Sequence, residues 1–301
     1  MMKKIVVLGS NSFIGRHFIL ENKKYHIKAI SRSNQNNNND KNIEFIKCKS
    51  FSEDNLKLIF ENGDVVINCV YSKSDENEKI IKNIVSAANH CKISKLIHIS
   101  SAVVAGYQEN KFIDEDVKCI PITNYQKLKY KLEKLLMSSK LTCKLIILRP
   151  TAVFGDGGLN LIKNLEEIKS KSFLSNIFKF IILGNRQMHL VTIKNVVESI
   201  KFVIENNFDK PKELFIVSQD NDPNNTYKNI YANAYRQIHN RDISFLKSLV
   251  LPKSILFLIL RIFRKRYEEV FSIYSPEKIQ LAGFIFKEEL LHGLKNFLKK
   301  N

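Results

Sequence analysis

Nothing in this sequence points to covalent or metal cross-links. Its five cysteines, Cys48, Cys69, Cys91, Cys119 and Cys143, are scattered over 301 residues without a Cys-x-x-Cys pair. That argues against a disulfide frame or a zinc site and for reduced thiols in a cytosolic protein. The seven histidines show no ligand spacing either, so no metal is expected. No run reaches the roughly 20 apolar residues that a bilayer-spanning helix needs, and no signal peptide precedes the first strand. The expectation is a protein made and kept in the cytoplasm. Acidic residues are scarce, 30 Asp and Glu against 48 Lys and Arg, for a net charge of +18. Such a balance raises nucleic acid as a partner. The lysines, however, are spread along the whole chain among many asparagines, as in 34–42, and no helix-turn-helix, zinc-finger or aromatic RNA-binding pattern accompanies them. A basic surface that tolerates anionic substrates is the better reading, with no specific nucleic acid.

What is present begins at the N-terminus. Ile5-Val6-Val7-Leu8 is an unbroken apolar run, the pattern of a strand buried on both faces of a parallel sheet. Gly9 follows where a tight turn must leave that strand, and Gly15 lies where a helix must approach it closely. Asn11, Ser12, Phe13 and Ile14 lie between them. Their place at a helix N-terminus offers backbone N–H groups, and the positive end of the helix dipole, to a pyrophosphate. The usual dinucleotide fingerprint has three glycines and this loop has two.

The second strand, Tyr25 to Ile30, ends in Ser31-Arg32-Ser33. An NAD site normally has an acidic residue here for the ribose 2′-OH. A guanidinium beside hydroxyls suits a 2′-phosphate, so NADP is favoured over NAD, against the plainer reading of a surface arginine. Further strands are expected at 43–46, 64–70, 96–99, 145–148 and 214–217, and helices at 55–60, 78–91, 124–138 and 195–205. Cys69 and Val70, ending the 64–70 strand, lie where a cofactor would pass. The alternation predicts an α/β fold, a doubly wound parallel sheet, over residues 1–155 with 189–218 returning to it. A smaller, mainly helical substrate lobe is expected from 156–188 and 219–301.

Ser101 ends a central strand, and Tyr125 and Lys129 are spaced to share one helix face. A phenol titrates near pH 10; a neighbouring ammonium would lower it and make the tyrosine a usable acid or base. A serine hydroxyl opposite would hold the reacting oxygen. Taken alone, a Tyr-x-x-x-Lys on a lysine-rich helix is a solvated face; joined to the dinucleotide loop and the strand-ending serine, it becomes specific.

With those residues in view, the chain resembles an extended short-chain dehydrogenase/reductase of the NAD-dependent epimerase/dehydratase family, over nearly its whole length. Gly9 to Gly15 resembles the family's Gly-x-x-Gly-x-x-Gly loop, with Ser12 for the middle glycine. Asp64 to Asn68, Ser100-Ser101 through Gly106, Tyr125-x-x-x-Lys129 with Glu133, Leu148-Arg149-Pro150 to Phe154-Gly155, Ser275 to Lys278, Gly283-Phe284 and Gly293-Leu294 follow family habits in order. The resemblance implies a Rossmann-type sheet, catalytic Ser101, Tyr125 and Lys129, a nicotinamide whose ribose Lys129 contacts, and a nucleotide-activated sugar as substrate. Ala102 and Val103 stand where sugar dehydratases of the family carry an Asp-Glu pair, so dehydration is not expected. Ala152 replaces an asparagine that contacts substrate in many relatives.

The resulting expectation is an NAD(P)-dependent oxidoreductase acting on a nucleotide- or lipid-linked sugar, by 4-keto reduction in surface polysaccharide synthesis. The alternatives are a 4-epimerase and a non-catalytic NADP sensor. Val103, Arg186, Arg261 and Arg264 are candidate substrate contacts, the arginines for phosphate. The apolar stretch 249–266 is a lobe helix packed on the core or, as the sharper reading, a peripheral contact with the inner face of an anionic membrane. A homodimer through the Tyr125 helix is the family habit.

Overall fold

The computed structural model describes residues 3–33, 40–72, 76–108, 112–263, 270 and 272–300. From the N-terminus the elements are β1 (Lys4–Leu8), α1 (Phe13–Glu21), β2 (His26–Ser31), β3 (Ile43–Lys47), α2 (Glu53–Ile59), β4 (Val65–Asn68), α3 (Asn77–Cys91) and β5 (Lys95–Ile99). There follow β6 (Phe112–Ile113), α4 (Asn124–Ser138), β7 (Lys144–Pro150), β8 (Ala152–Phe154), α5 (Ile162–Ser170), α6 (Phe173–Leu183), β9 (Leu190–Thr192) and α7 (Ile193–Glu205). The chain closes with β10 (Lys212–Val217), α8 (Tyr227–His239), α9 (Lys253–Ile262), β11 (Ile273–Tyr274), α10 (Glu277–Leu281) and α11 (Leu290–Lys300). Among the described residues, no helix is long and apolar enough to cross a membrane.

The chain divides into two compact units, the first made of 1–104, 121–149 and 197–215, the second of 105–120, 150–196 and 216–301. The first is organised on a seven-stranded sheet in the order β10-β7-β5-β4-β1-β2-β3. The pairs from β7 to β3 are all parallel. This is the doubly wound α/β fold, and strand order reverses between β1 and β4, where ligands of such sheets bind. Successive side chains in a strand point to opposite faces. Val6, Leu8, Ile30, Val66, Leu96 and Ile147 accordingly pack with Leu56 of α2, Ile84 of α3 and Leu132 of α4. Ile5, Val7, Ile27, Ile67 and Ile97 alternate with them and are equally buried. Both faces are covered, as the unbroken apolar runs require.

The second unit has its own core, in which Phe154, Phe180, Leu190, Tyr231, Leu290 and Phe297 pack together. Two short parallel ribbons, β8 with β9 and β6 with β11, belong to it. The buried Asn195 accepts from the N–H groups of Lys287 and Glu288 and donates to the Glu288 carbonyl, tying the C-terminal segment to the start of α7.

Candidate active site

The Gly9–Gly15 loop leaves β1 with Gly9 at φ +78°, a conformation that glycine adopts without strain. A Cβ there would sit 3.0 Å from the Cys69 backbone at the end of β4, and one on Gly15 would lie 2.6 Å from the Gly9 carbonyl oxygen. Both glycines therefore keep the loop tight at the reversal of strand order. Ser12, where relatives have a third glycine, is the N-cap of α1 and accepts from the Gly15 N–H at 3.1 Å. The N–H groups of Phe13 and Ile14 remain without a partner among the described residues. They are the donors that an anion at a helix N-terminus would take. A pyrophosphate fits this cradle.

At the end of β2, the buried Ser31 donates its hydroxyl to the Ser33 carbonyl at 2.5 Å, and Asn11 donates to the Ser33 hydroxyl at 2.8 Å. Of the two serines flanking Arg32, Ser33 is therefore the one whose hydroxyl stands at the surface. Arg32 is exposed and lies 3.8 Å from an equally exposed Glu76 carboxylate. Such a pair is worth about 0–1 kcal/mol and is readily given up for another anion.

The helix that carries the tyrosine has a well-made start. Thr123 accepts from the Gln126 N–H while the Gln126 side chain accepts from the Thr123 N–H, a capping box that opens α4. Tyr125 falls in the first turn, and Lys129, one turn on, is 5% exposed and donates to the Ile99 carbonyl at 3.1 Å. The Ser101 hydroxyl neighbours the Tyr125 phenol and favours its phenolate. The Tyr71 ring completes the group, edge-on to Tyr125 at 5.6 Å, with the Lys129 ammonium 5.6 Å from its centre. Val103 is half-buried in the short 3₁₀ turn after Ser101.

The electrostatics correct one expectation. Although Tyr125 as a whole is 41% exposed, partial burial of its phenol, not the neighbouring ammonium, dominates and raises its pKa, and the Ser101 hydroxyl opposes the rise. Burial also lowers Lys129 to about 8, against the opposing influence of Cys69 and Glu133. The Cys69 thiol is pushed up to about 12 by burial, with Lys129 and a hydrogen bond to Ser12 pulling the other way. His98, also enclosed, falls to about 3 through burial and then the Lys129 charge. Its Nδ1 faces the Asn68 amide nitrogen at 3.0 Å and therefore accepts, so the ring proton sits on Nε2, which has no partner among the described residues.

Ser101, Tyr125, Lys129, the glycine loop, Cys69, Val70 and Val103 thus all belong to the first unit. Arg186 is half-buried in the second, and Arg261 is exposed on α9 of the second. Arg264 and the end of 249–266 lie outside the described residues. Tyr71 and the Asn68–His98 pair had gone unmarked in the sequence, although Asn68 and His98 are register partners across β4 and β5. The three-residue proximity of Tyr71 to the end of β4 was the available signal for the former.

The model of the NAD dependent epimerase/dehydratase family matches residues 5–217. The chain belongs to that family. No curated protein matches it by sequence. Among solved structures it is similar to UDP-glucuronic acid 4-epimerase from Bacillus cereus in complex with NAD, at 17% identity and TM-score 0.71, covering 99% of this chain and 96% of that one. It is also similar to WbmG of Bordetella bronchiseptica in complex with NAD, at 15% identity and TM-score 0.72, covering 100% and 94%. A third is UDP-glucose 4-epimerase from Thermotoga maritima with UDP-glucose, at 17% identity and TM-score 0.67, covering 99% and 98%. At these identities the likeness is one of fold.

Proposed function

We propose that this family member is an NAD(P)-dependent oxidoreductase that acts at a carbinol or keto carbon of a nucleotide-linked sugar, with 4-keto reduction as its reaction. The observation that carries the reading is the meeting of Ser101, Tyr125 and Lys129 with the glycine loop in one unit. The bound nicotinamide supplies or accepts the hydride. The loop from Gly9 to Gly15 holds the pyrophosphate, Arg32 with Asn11 and Ser33 receives a 2′-phosphate, and Lys129 holds a ribose hydroxyl. Ser101 orients the keto oxygen by hydrogen bonding. Tyr125, protonated at neutral pH, donates its proton to that oxygen. The surface-polysaccharide context, a dimer through α4 and a place at the inner face of a membrane stay attached to this reading as expectations.

Epimerisation at C4 is the second reading, favoured by the 4-epimerases among the structural neighbours. It uses the same residues in alternation, Tyr125 first as base and then as acid. The test is a titration of NADPH against NADH on wild type and Arg32→Ala, followed by turnover on UDP- and dTDP-4-keto sugars. A NADPH preference that Arg32→Ala removes, with stoichiometric NADPH consumption, is expected. Interconversion of two sugars on retained NAD without net NADPH use would replace reduction by epimerisation.

A further inference from the structure

The second unit carries an apolar surface that the proposed chemistry does not use. In α9, seven of ten side chains are large and apolar, yet Leu256 alone is buried. In α6, eight of eleven are large and apolar, and the buried residues are Asn176 and Phe180. The segment leading into α9 is tied to the end of α6: the Leu251 N–H donates to the Ile181 carbonyl at 2.9 Å, and Asn185 donates to the Leu251 carbonyl at 2.8 Å. The 3₁₀ segment Ser244–Leu249 runs between them in sequence and packs on α6. Leu174, Phe178, Phe245, Leu258, Ile262 and Phe263 are each more than half exposed. Singly exposed apolar residues need no explanation, but a concentration of this kind marks a surface that something covers.

The charge around it says what. Residues 171–186 and 241–263 carry seven Lys and Arg and one acid, Asp242. Two of these cations, Lys171 and Lys179, pair with Glu167; Arg261 stands exposed on α9 among the apolar residues. An amphipathic face of aromatic and branched side chains rimmed by cations is what lies flat in the headgroup region of an anionic bilayer. A second copy of the chain would bring the same cations against themselves, in a protein already at +18. We infer that the face formed by α6, the Ser244–Leu249 segment and α9 docks on an anionic phospholipid bilayer. The contact is peripheral, and it does not depend on which sugar reaction the first unit performs.

The experiment is co-sedimentation of the full chain with vesicles of phosphatidylglycerol and phosphatidylcholine in equal parts, and with vesicles of phosphatidylcholine alone. Leu258→Ser/Ile262→Ser and Leu174→Ser/Phe178→Ser are compared with wild type, and circular dichroism and size exclusion check their fold and oligomeric state. Because these side chains are exposed, the fold is expected to be unchanged. Wild type is expected to sediment with the anionic vesicles, and each pair to bind about tenfold more weakly. No sedimentation of wild type, or binding that both pairs leave intact, overturns the inference. A wild-type dimer that either pair converts to monomer, with vesicle binding unchanged, would assign the face to a second copy instead.

Discussion

The ion pair of Glu133 on α4 with Arg149 on β7 ties the tyrosine helix to the sheet. Only 3% and 5% of the two side chains are exposed. The Arg149 Nη2 donates to Glu133 Oε2 at 2.6 Å and its Nε approaches both carboxylate oxygens at 3.1 and 3.2 Å. At an effective dielectric near 20 and a charge separation of about 4 Å, the attraction is about 4 kcal/mol. Withdrawing each ion from water costs several kcal/mol. The intact pair is therefore near neutral against an apolar pair of the same shape, while either half alone leaves a buried charge. Arg149→Met and Glu133→Met are each expected to destabilise the first unit by about 3–5 kcal/mol, and the double substitution to recover at least about 2 kcal/mol of either loss. The assay is urea unfolding followed by circular dichroism and by loss of NAD(P)H binding, the second signal reporting the first unit. Single losses below about 1 kcal/mol, or a double variant equal to the sum of the singles, would refute the reasoning.

Gly15→Ala, whose Cβ would meet the Gly9 oxygen at 2.6 Å and Ser12 Oγ at 2.9 Å, is expected to lower NAD(P)H affinity at least about tenfold by titration, because the loop must open. Tyr125→Phe is expected to cost about 10²–10⁴ in kcat with NAD(P)H affinity kept within about twofold; unaltered turnover on a responsive sugar would remove the tyrosine from the chemistry. Lys95, whose ammonium donates to the carbonyls of Val203, Ile204 and Asn206, is lowered by burial to about 8. Since its folded pKa lies below its unfolded one, the cost of burying the charge is carried in full below pH 8 and relieved as pH rises from there toward about 10.5. Wild type should thus gain stability over Lys95→Met across that window in urea titrations at stepped pH.

The large elements were legible because each satisfies a strong local rule. Ile5–Leu8 and Leu96–Ile99 read as buried strands and lie within β1 and β5; the helix expected at 124–138 has those bounds, and it starts where Thr123 and Gln126 cap it. What escaped was short or non-local. β6, β8, β9 and β11 span two or three residues each, too few for a period of two to show. The unburied state of α9 is equally invisible: its apolar run fits a core helix or a surface one, and burial alone distinguishes them.

The site shows the same division more sharply. Spacing named Ser101, Tyr125 and Lys129, but not the medium around them, and the medium sets the sign of the pKa shift. Cys69 is pushed up, His98 down, Lys129 down to about 8 and Tyr125 up, every one toward its neutral form. Lys129 is the member of this cluster brought closest to neutral pH. A raised pKa keeps the Tyr125 phenol protonated at neutral pH but makes it a weaker acid, so moving its proton requires the phenolate left behind to be stabilised. Donation to a keto oxygen leaves that phenolate and withdrawal from a hydroxyl starts from it, so reduction and epimerisation meet the same cost. The sign of the Tyr125 shift, which residue spacing cannot carry, therefore bears on how the phenolate must be stabilised and not on which of the two reactions is performed.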